Sequence, residues 1–262
     1  MQQPIMIGAH PVAHDVTCLS SYFPLPGLGI LPVNAFVIHA SEPVLVDTGL
    51  SILREPFLRA LGEVIDPADL RWIWMSHMDA DHLGNLEAVL AIAPHARIAT
   101  TFLGMGKMLL REMDVSRVHL LEPGASLEVD DRKLVSVQPA YYDAPETQGF
   151  LDTRTRVLFS GDAFGALLQE PAEAAAAIPE GTLRSGMLAW AAIDAPWLAI
   201  VDDSAFGRVL STVRRLDPAA IVSGHLPVAQ GITDRLLALC KAATQAPAAA
   251  ADRAEIEALM SA

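Results

Sequence analysis

The chain has few cysteines, few basic residues and no long hydrophobic run. Its 262 residues include only two cysteines, Cys18 and Cys240, which excludes a cysteine-built zinc or iron-sulfur site within one chain. The 18 Lys and Arg residues are outnumbered by 31 Asp and Glu residues, and the formal net charge is -13. Nucleic acids bind clustered basic residues, so we expect no nucleic-acid partner. Any metal ion would have to be held by nitrogen and oxygen atoms.

The longest apolar stretch, residues 186–201, contains Asp194 and Pro196. It is shorter than the roughly 20 residues that span a bilayer, so we interpret it as core and expect no membrane partner. The first residues lack a basic segment followed by an apolar one, which predicts a cytoplasmic protein without a secretory signal. We expect a single domain over residues 1–262, with its core at about 20–245 and an Ala-rich tail at 246–262.

Short β-type runs alternate with helical stretches along the chain. We expect strands at 34–40, 44–47, 71–75, 118–121, 126–129, 134–137, 157–159 and 220–222, and helices at 83–93, 102–112, 184–190 and 203–216. Strands come first and helices after, twice over. This order favours an α+β fold of two sheets packed face to face with helices outside, rather than strict βαβ alternation.

The segment SHMDADHLG, residues 76–84, directly follows an apolar run and carries His77, Asp79, Asp81 and His82. Two carboxylates about 4 Å apart repel by roughly 4 kcal/mol at an effective dielectric near 20, so a folded cluster of this kind requires cations. By itself the segment could also be a solvated turn. A metal site is the first hypothesis.

Three further candidate residues stand at the ends of predicted strands. Asp47 ends VLVD, Asp162 ends VLFSGD and His225 ends IVSGH, and a glycine lies next to each or one residue away. Glycine lets the backbone turn sharply, so we expect the strand ends to converge on one rim with the 76–84 segment.

LVDTG, the H-x-D-x-D-H-L-G segment, FSGD and SGH occur in the order and at the approximate spacing of the metallo-β-lactamase superfamily. The resemblance covers about residues 34–225. It implies an αββα sandwich of two mixed sheets flanked by helices, with a dinuclear metal site at the edge between the sheets. It also implies that Asp47 orients the ligand loop instead of binding metal.

Two positions depart from the zinc hydrolase pattern of that superfamily. Asp79 stands where the second histidine is usual, and residues 139–150 lack the histidine that normally follows. Spacing leaves Asp143 for that place, although an Asp before Ala-Pro is also an ordinary turn residue. A carboxylate at 79 most resembles the diiron domain of flavodiiron proteins and their stand-alone oxygen-binding relatives.

Carried over by position, the resemblance implies two metal ions that share Asp162 as a bridge. The first ion would take His77, Asp79 and, if it ligates, Asp143. The second would take Asp81, His82 and His225. Asp81 and Asp162 are the candidate catalytic residues.

The four aspartates among these ligands would neutralise two divalent ions but not two ferric ions. Carboxylate and imidazole suit iron or manganese, whereas more imidazole or thiolate suits zinc. We therefore expect iron first, with zinc or manganese as alternatives. Anionic ligands also raise the pKa of metal-bound water, which favours redox chemistry or oxygen binding over hydrolysis.

Three functions fit these residues. The leading hypothesis is a diiron protein that binds or reduces a small molecule such as O2. A reductase would need an external electron-donor protein, whereas a sensor or carrier would not. The second is a metal-dependent hydrolase that uses a bridging hydroxide on an ester, lactone, thioester or phosphoester. In the third, the substitutions have emptied one metal position and leave a mononuclear or purely binding protein.

Two other segments have a predicted role. The apolar residues 20–32 predict either a loop over the pocket or a contact between the two copies of a homodimer. Lys107 and Arg111, at i,i+4 spacing, are interpreted as a solvated helix face.

Overall fold

The computed structural model describes residues 3–245 and contains two β-sheets. The first sheet has seven strands in chain order, antiparallel from the first to the fourth and parallel from the fourth to the seventh. These strands are β1 (Ile5–Ala13), β2 (Val16–Leu25), β3 (Gly29–Ile38), β4 (Val44–Val46), β5 (Trp72–Trp74), β6 (Arg97–Thr100) and β7 (Val118–Leu120). The tail predicted at 246–262 lies outside the described residues.

The second sheet has six strands, which are β8 (Ser126–Glu128), β9 (Lys133–Val137), β10 (Gly149–Asp152), β11 (Val157–Phe159), β12 (Ala220–Ser223) and β13 (Leu226–Gln230). Their spatial order is β13-β12-β11-β10-β9-β8. The β11 and β12 pair is parallel, and the other neighbours are antiparallel. Both sheets are therefore mixed, as the sequence predicts.

Helices cover the outer face of each sheet. The α-helices are α1 (Arg54–Val64), α2 (Ala80–Leu83), α3 (Leu86–Ile92), α4 (Phe102–Leu110), α5 (Glu180–Asp194), α6 (Asp203–Leu216) and α7 (Thr233–Ala243). Short 3-10 helices occupy Ser51–Leu53, Pro67–Asp69, Ala175–Ala177 and Pro196–Ile200. Buried side chains of α1, α3 and α4 pack on the first sheet, and those of α5, α6 and α7 pack on the second. Within residues 3–245, no helix combines the length and apolar character needed to cross a membrane.

The central strands are buried on both faces because successive side chains point to opposite sides of a sheet. Val46 of β4 faces the layer between the sheets, whereas its neighbour Leu45 packs under the helices. In β11, Phe159 faces the other sheet and Leu158 faces the helices. Strands buried on both faces appear in sequence as continuous apolar runs. The predicted α+β sandwich with αββα layers is confirmed.

The predicted elements omit β6, β10, β13, α1 and α7, and they also omit β1 and β2. These two strands form a long antiparallel hairpin, and β1 precedes the core expected at about 20–245. The segment 20–32 is not a loop over a pocket, because most of it pairs within β2 and β3. Its apolar character follows from burial in the sandwich, where Tyr22 and Leu31 are both buried.

Candidate metal centre

Four strands end at one edge of the sandwich, and the residues that follow them carry the candidate site. Asp47 follows β4, the segment beginning at His77 follows β5, Asp162 follows β11 and His225 follows β12. The β4 and β5 strands are parallel neighbours, as are β11 and β12, so their carboxyl ends lie side by side. The two sheets thus bring the predicted motifs to a shared edge.

All seven candidate ligands lie in one cluster. One ligand atom each from His77, Asp79 and Asp143 lie within 4.8 Å of one another, and so do those from Asp81, His82 and His225. Asp162 lies between the two groups, with its Oδ2 atom 3.3 Å from Nε2 of His77 and 3.3 Å from Nε2 of His225. The structure therefore contains the two groups and the central carboxylate that the resemblance implies.

Hydrogen bonds centred on Asp47 orient His77 and His82. Nδ1 of His82 lies 2.9 Å from Asp47 Oδ2. The Ser76 hydroxyl donates to the same oxygen at 2.7 Å and lies 3.0 Å from Nδ1 of His77. Neither the carboxylate nor this hydroxyl has a proton left to donate, so each imidazole donates from Nδ1. In the neutral rings, Nε2 then presents a lone pair to the cluster.

His225 is oriented by a strand of the opposite sheet. Its Nδ1 atom lies 2.7 Å from the carbonyl oxygen of Pro32 in β3, so it too donates from Nδ1. Asn34, also in β3, donates from Nδ2 to the carbonyl oxygens of Ser223 and Leu226 at 3.0 and 2.9 Å. The inward atom is again Nε2, which lies 3.3 Å from Asp81 Oδ2.

Two glycines permit the close approach of the ligand segments. Gly161 has a φ of 57°, the left-handed conformation that places Asp162 directly after a sharp turn. At Gly224, an added Cβ would lie 2.7 Å from His82 Cε1 and 3.0 Å from Asp162 Oδ1. A side chain at 224 would therefore displace two candidate ligands.

The electrostatics of the cluster favour cations. Burial would lower the pKa of His225, but the carboxylates of Asp162 and Asp81 raise it to about 9. The pKa of His82 shifts in the same direction. Burial would lower it, but the charges of Asp162, Asp81 and Asp47 raise it well above the ordinary value. Burial would raise the pKa of Asp162, but the charges of the surrounding imidazoles hold it well below its ordinary range. Carboxylates thus dominate the site.

Unpartnered atoms show that the cluster fits a metal. Nε2 of His77, Nε2 of His82 and Oδ1 of Asp162 are buried and make no hydrogen bond within residues 3–245. Nε2 of His82 and Oδ1 of Asp162 lie 3.0 Å apart without hydrogen-bond geometry. Buried polar atoms are normally paired, and a cation bound between these atoms would satisfy them. Nitrogen and oxygen donors without sulfur suit iron or manganese.

Asp194, the last residue of α5, also lies at the cluster, and the sequence analysis did not assign it to the site. Ligand atoms of Asp143, Asp162 and Asp194 lie within 4.8 Å of one another. Burial and then the charges of Asp162 and Asp143 raise the pKa of Asp194 to about 8. The one feature of the sequence that could have indicated its role is the position of this carboxylate inside the apolar stretch 186–201.

The interpretation of Lys107 and Arg111 as a solvated helix face holds for the exposure of Arg111 but misses the contacts that both side chains make. Lys107 forms an ion pair with Glu146, whose side chain is fully buried. Arg111 donates to the carbonyl oxygen of Met78, the residue between His77 and Asp79. The two basic side chains of α4 therefore hold the two loops that carry His77 and Asp143. The i,i+4 spacing could not distinguish this arrangement from a solvated face.

Comparisons with known proteins agree with this geometry. A model of the family described as ODP family beta lactamase matches residues 31–225. Flavo-diiron protein FprA2 of Clostridium acetobutylicum is 23% identical over 142 residues, which are 53% of this chain and 35% of that protein. Rubredoxin oxygen:oxidoreductase from Desulfovibrio gigas aligns with a TM-score of 0.79 and 19% identity, covering 90% of this chain and 61% of that one. A fragment of diflavin flavoprotein A 5 from Nostoc aligns with a TM-score of 0.75 and 15% identity, covering 93% of this chain and 98% of that one.

These matches differ in what they establish. The chain spans between 23% and 48% of the length of the curated relatives that it matches. The solved structures have low identity and establish the fold alone. The family model covers most of the chain. We conclude that the chain belongs to the ODP family of beta-lactamase-like domains and has the metallo-β-lactamase fold found in flavodiiron proteins.

Proposed function

We propose that this chain holds a dinuclear, carboxylate-rich iron centre and binds or reduces a small molecule such as O2. The observation that carries the proposal is the convergence of three imidazole Nε2 atoms on the buried Asp162 carboxylate, at 3.0 to 3.3 Å. Two similar proteins, flavo-diiron protein FprA2 and rubredoxin oxygen:oxidoreductase, are named for the same chemistry and support the proposal.

The proposed ligands follow the two geometric groups. One iron takes His77, Asp79 and Asp143. The other takes Asp81, His82 and His225. Asp162 is shared, because its two oxygens face different histidines. Four aspartates balance two ferrous ions and leave a net positive charge with two ferric ions, and this oxygen-rich donor set favours iron over zinc.

When bound, the two iron ions would supply coordination and electrons for a small molecule. The residues of the chain orient the metal ligands, shield the site from water and admit the small molecule. Asp47, Ser76 and Pro32 fix the imidazole rings before any ligand arrives. The Trp190 ring packs on His225 with centroids 4.6 Å apart and excludes water from that side. Asp79 is partly exposed and the Asp81 side chain is 26% exposed, whereas the Asp162 side chain is 4% exposed, so we propose that the small molecule enters beside Asp79 and Asp81.

A reductase needs a supply of electrons. The only cysteines, Cys18 and Cys240, are both buried and unpaired. They cannot form a rubredoxin-like cysteine site, so we propose that an electron donor outside residues 3–245 reduces the centre. An oxygen sensor or carrier would need no donor. The hydrolase alternative gains no support from the comparisons, and the cytoplasmic location stays a prediction.

The test is elemental analysis of anaerobically purified protein, with visible spectra recorded before and after O2 is added. We expect about two irons per chain and an absorption band that depends on O2. Asp162→Asn should lose most of the iron, whereas Asp69→Asn, at an exposed aspartate of a short 3-10 helix, should keep it. Two zinc ions per chain with a spectrum insensitive to O2 would overturn the proposal.

A further inference from the structure

Asp194 is a carboxylate at the metal cluster that comes from a helix instead of a strand end. It ends α5, which packs on the second sheet through Leu183 and Met187. One Asp194 oxygen lies within 4.8 Å of ligand atoms of both Asp143 and Asp162. Its Oδ2 atom is buried and makes no hydrogen bond within the described part of the chain.

The position of Asp194 is fixed relative to Asp143. The 3-10 helix Pro196–Ile200 directly follows α5, and Trp197 within it donates from Nε1 to the carbonyl oxygen of Tyr142 at 2.9 Å. The rings of Tyr142 and Trp197 also pack, with centroids 5.7 Å apart. Tyr142 directly precedes Asp143. The segments that carry the two aspartates are therefore joined beside the cluster.

Unpartnered buried atoms point into the same space. His77 Nε2 is fully buried, makes no hydrogen bond within residues 3–245, and lies 4.0 Å from Asp143 Oδ2 and 3.3 Å from Asp162 Oδ2. The buried His77 Nε2 and Asp194 Oδ2 atoms both lack hydrogen-bond partners and both belong to side chains that lie beside Asp143 and Asp162. Buried polar atoms arranged in this way form a cation site, not a solvated acidic patch.

We propose that Asp194 is a further ligand of the iron held by His77, Asp79 and Asp143. This inference rests on the proposed dinuclear centre and extends its ligand set to a residue outside every motif. Asp194 raises the number of carboxylates at the centre from four to five. Five negative charges exceed the positive charge of two ferrous ions, so Asp194 favours hard cations of higher charge.

The test titrates metal-free protein with Fe²⁺ alone under anaerobic conditions, in competition with a chelator. Wild type should bind two ions per chain. Asp194→Asn should keep one and bind the other at least tenfold more weakly, because an amide is a poor ligand of the same shape. Glu180→Gln alters an exposed carboxylate in the first turn of the same helix and should bind like wild type.

A second readout uses Co²⁺ as a spectroscopic probe. Asp194→Glu keeps the carboxylate but lengthens the side chain, so a ligand at this position should shift the visible bands of bound Co²⁺. Superimposable Co²⁺ spectra of wild type and Asp194→Glu would overturn the assignment even if Asp194→Asn fails to fold.

The outcomes separate the two proposals. If wild type binds two ferrous ions and Asp194→Asn binds both with unchanged affinity, Asp194 is not a ligand and the dinuclear centre stands. If wild type binds one ion or none, both proposals fail. Thermal unfolding of the metal-free variant should match wild type, which would show that weaker binding comes from the missing ligand and not from a damaged fold.

Discussion

The Asp47 carboxylate lies 2.9 Å from Nδ1 of His82 and thereby determines which nitrogen of that ring faces the cluster. The same carboxylate accepts hydrogen bonds from the backbone nitrogen and the hydroxyl of Ser76, the residue before His77. One side chain that does not itself face the cluster therefore sets the orientation of two candidate ligands.

We expect Asp47→Asn to lower iron affinity by 10- to 100-fold, because residues that orient metal ligands have effects of this size. Asp47 has a left-handed φ of 57°, which Asn also adopts readily, so the fold should be kept. Asp217→Asn is the matched control, since Asp217 is also left-handed, with a φ of 49°, and is exposed at the end of α6. Chelator competition measures both variants. Equal affinities for Asp47→Asn and wild type would contradict the orienting role.

Gly224→Ala should lower both iron content and stability. The new methyl group would meet His82 Cε1 at 2.7 Å and Asp162 Oδ1 at 3.0 Å, so the ligands must move. Overpacking of this kind typically costs about 1–3 kcal/mol. Gly62→Ala in α1, where an added Cβ has no atom within 4 Å, should instead stabilise by about 0.5–1 kcal/mol. Urea unfolding and elemental analysis check the pair, and normal iron content in Gly224→Ala would refute the prediction.

Asp143→Ala should remove one iron per chain, and Asp143→His should restore it by supplying the residue usual at that place in the superfamily. The alternative is a turn role, in which Asp143 matters only as the acceptor of the Thr147 hydroxyl at 3.2 Å. Thr147→Val removes that hydrogen bond and keeps the carboxylate. Ligation predicts two irons in Thr147→Val and one in Asp143→Ala. Two irons in both variants would assign Asp143 to the turn.

Lys107→Met should destabilise the protein because it leaves the buried Glu146 carboxylate without its cation. Breaking a fully buried pair costs about 3–5 kcal/mol, but the Lys107 side chain is 34% exposed and screened by solvent, so we expect about 1–2 kcal/mol. Adding Glu146→Gln should recover part of this loss. Lys133→Met breaks an exposed pair with Glu128 and should change the free energy of unfolding by less than about 0.5 kcal/mol. Equal losses for the two lysine variants, measured by urea unfolding, would argue against the buried pair.

The motifs at strand ends could be predicted because their chemistry is local in sequence. His77, Asp81 and His82 lie in one short segment, and Asp162 and His225 each follow an apolar run beside glycine. Two packed sheets with helices outside were predictable from the order of strands and helices along the chain, and the resemblance to the metallo-β-lactamase superfamily implied the αββα layers.

Asn34 and Asp194 could not be predicted in this way. Asn34 donates hydrogen bonds to the carbonyl oxygens of Ser223 and Leu226, about 190 positions away. Every residue has a backbone carbonyl, so the sequence carries no signal of this contact. Asp194 lies in a helix, where a single acid is compatible with many environments. The β1 and β2 hairpin was missed because β1 alternates between exposed and partly buried residues and lacks a strong apolar run.

The contact between His225 and Pro32 joins residues 193 positions apart. During synthesis, a nascent chain therefore displays His77 and Asp81 long before the residue that completes their site has left the ribosome. Such a chain has no finished pocket in which to trap a metal ion prematurely. A site with all seven proposed ligands can therefore be complete only after the two sheets have docked.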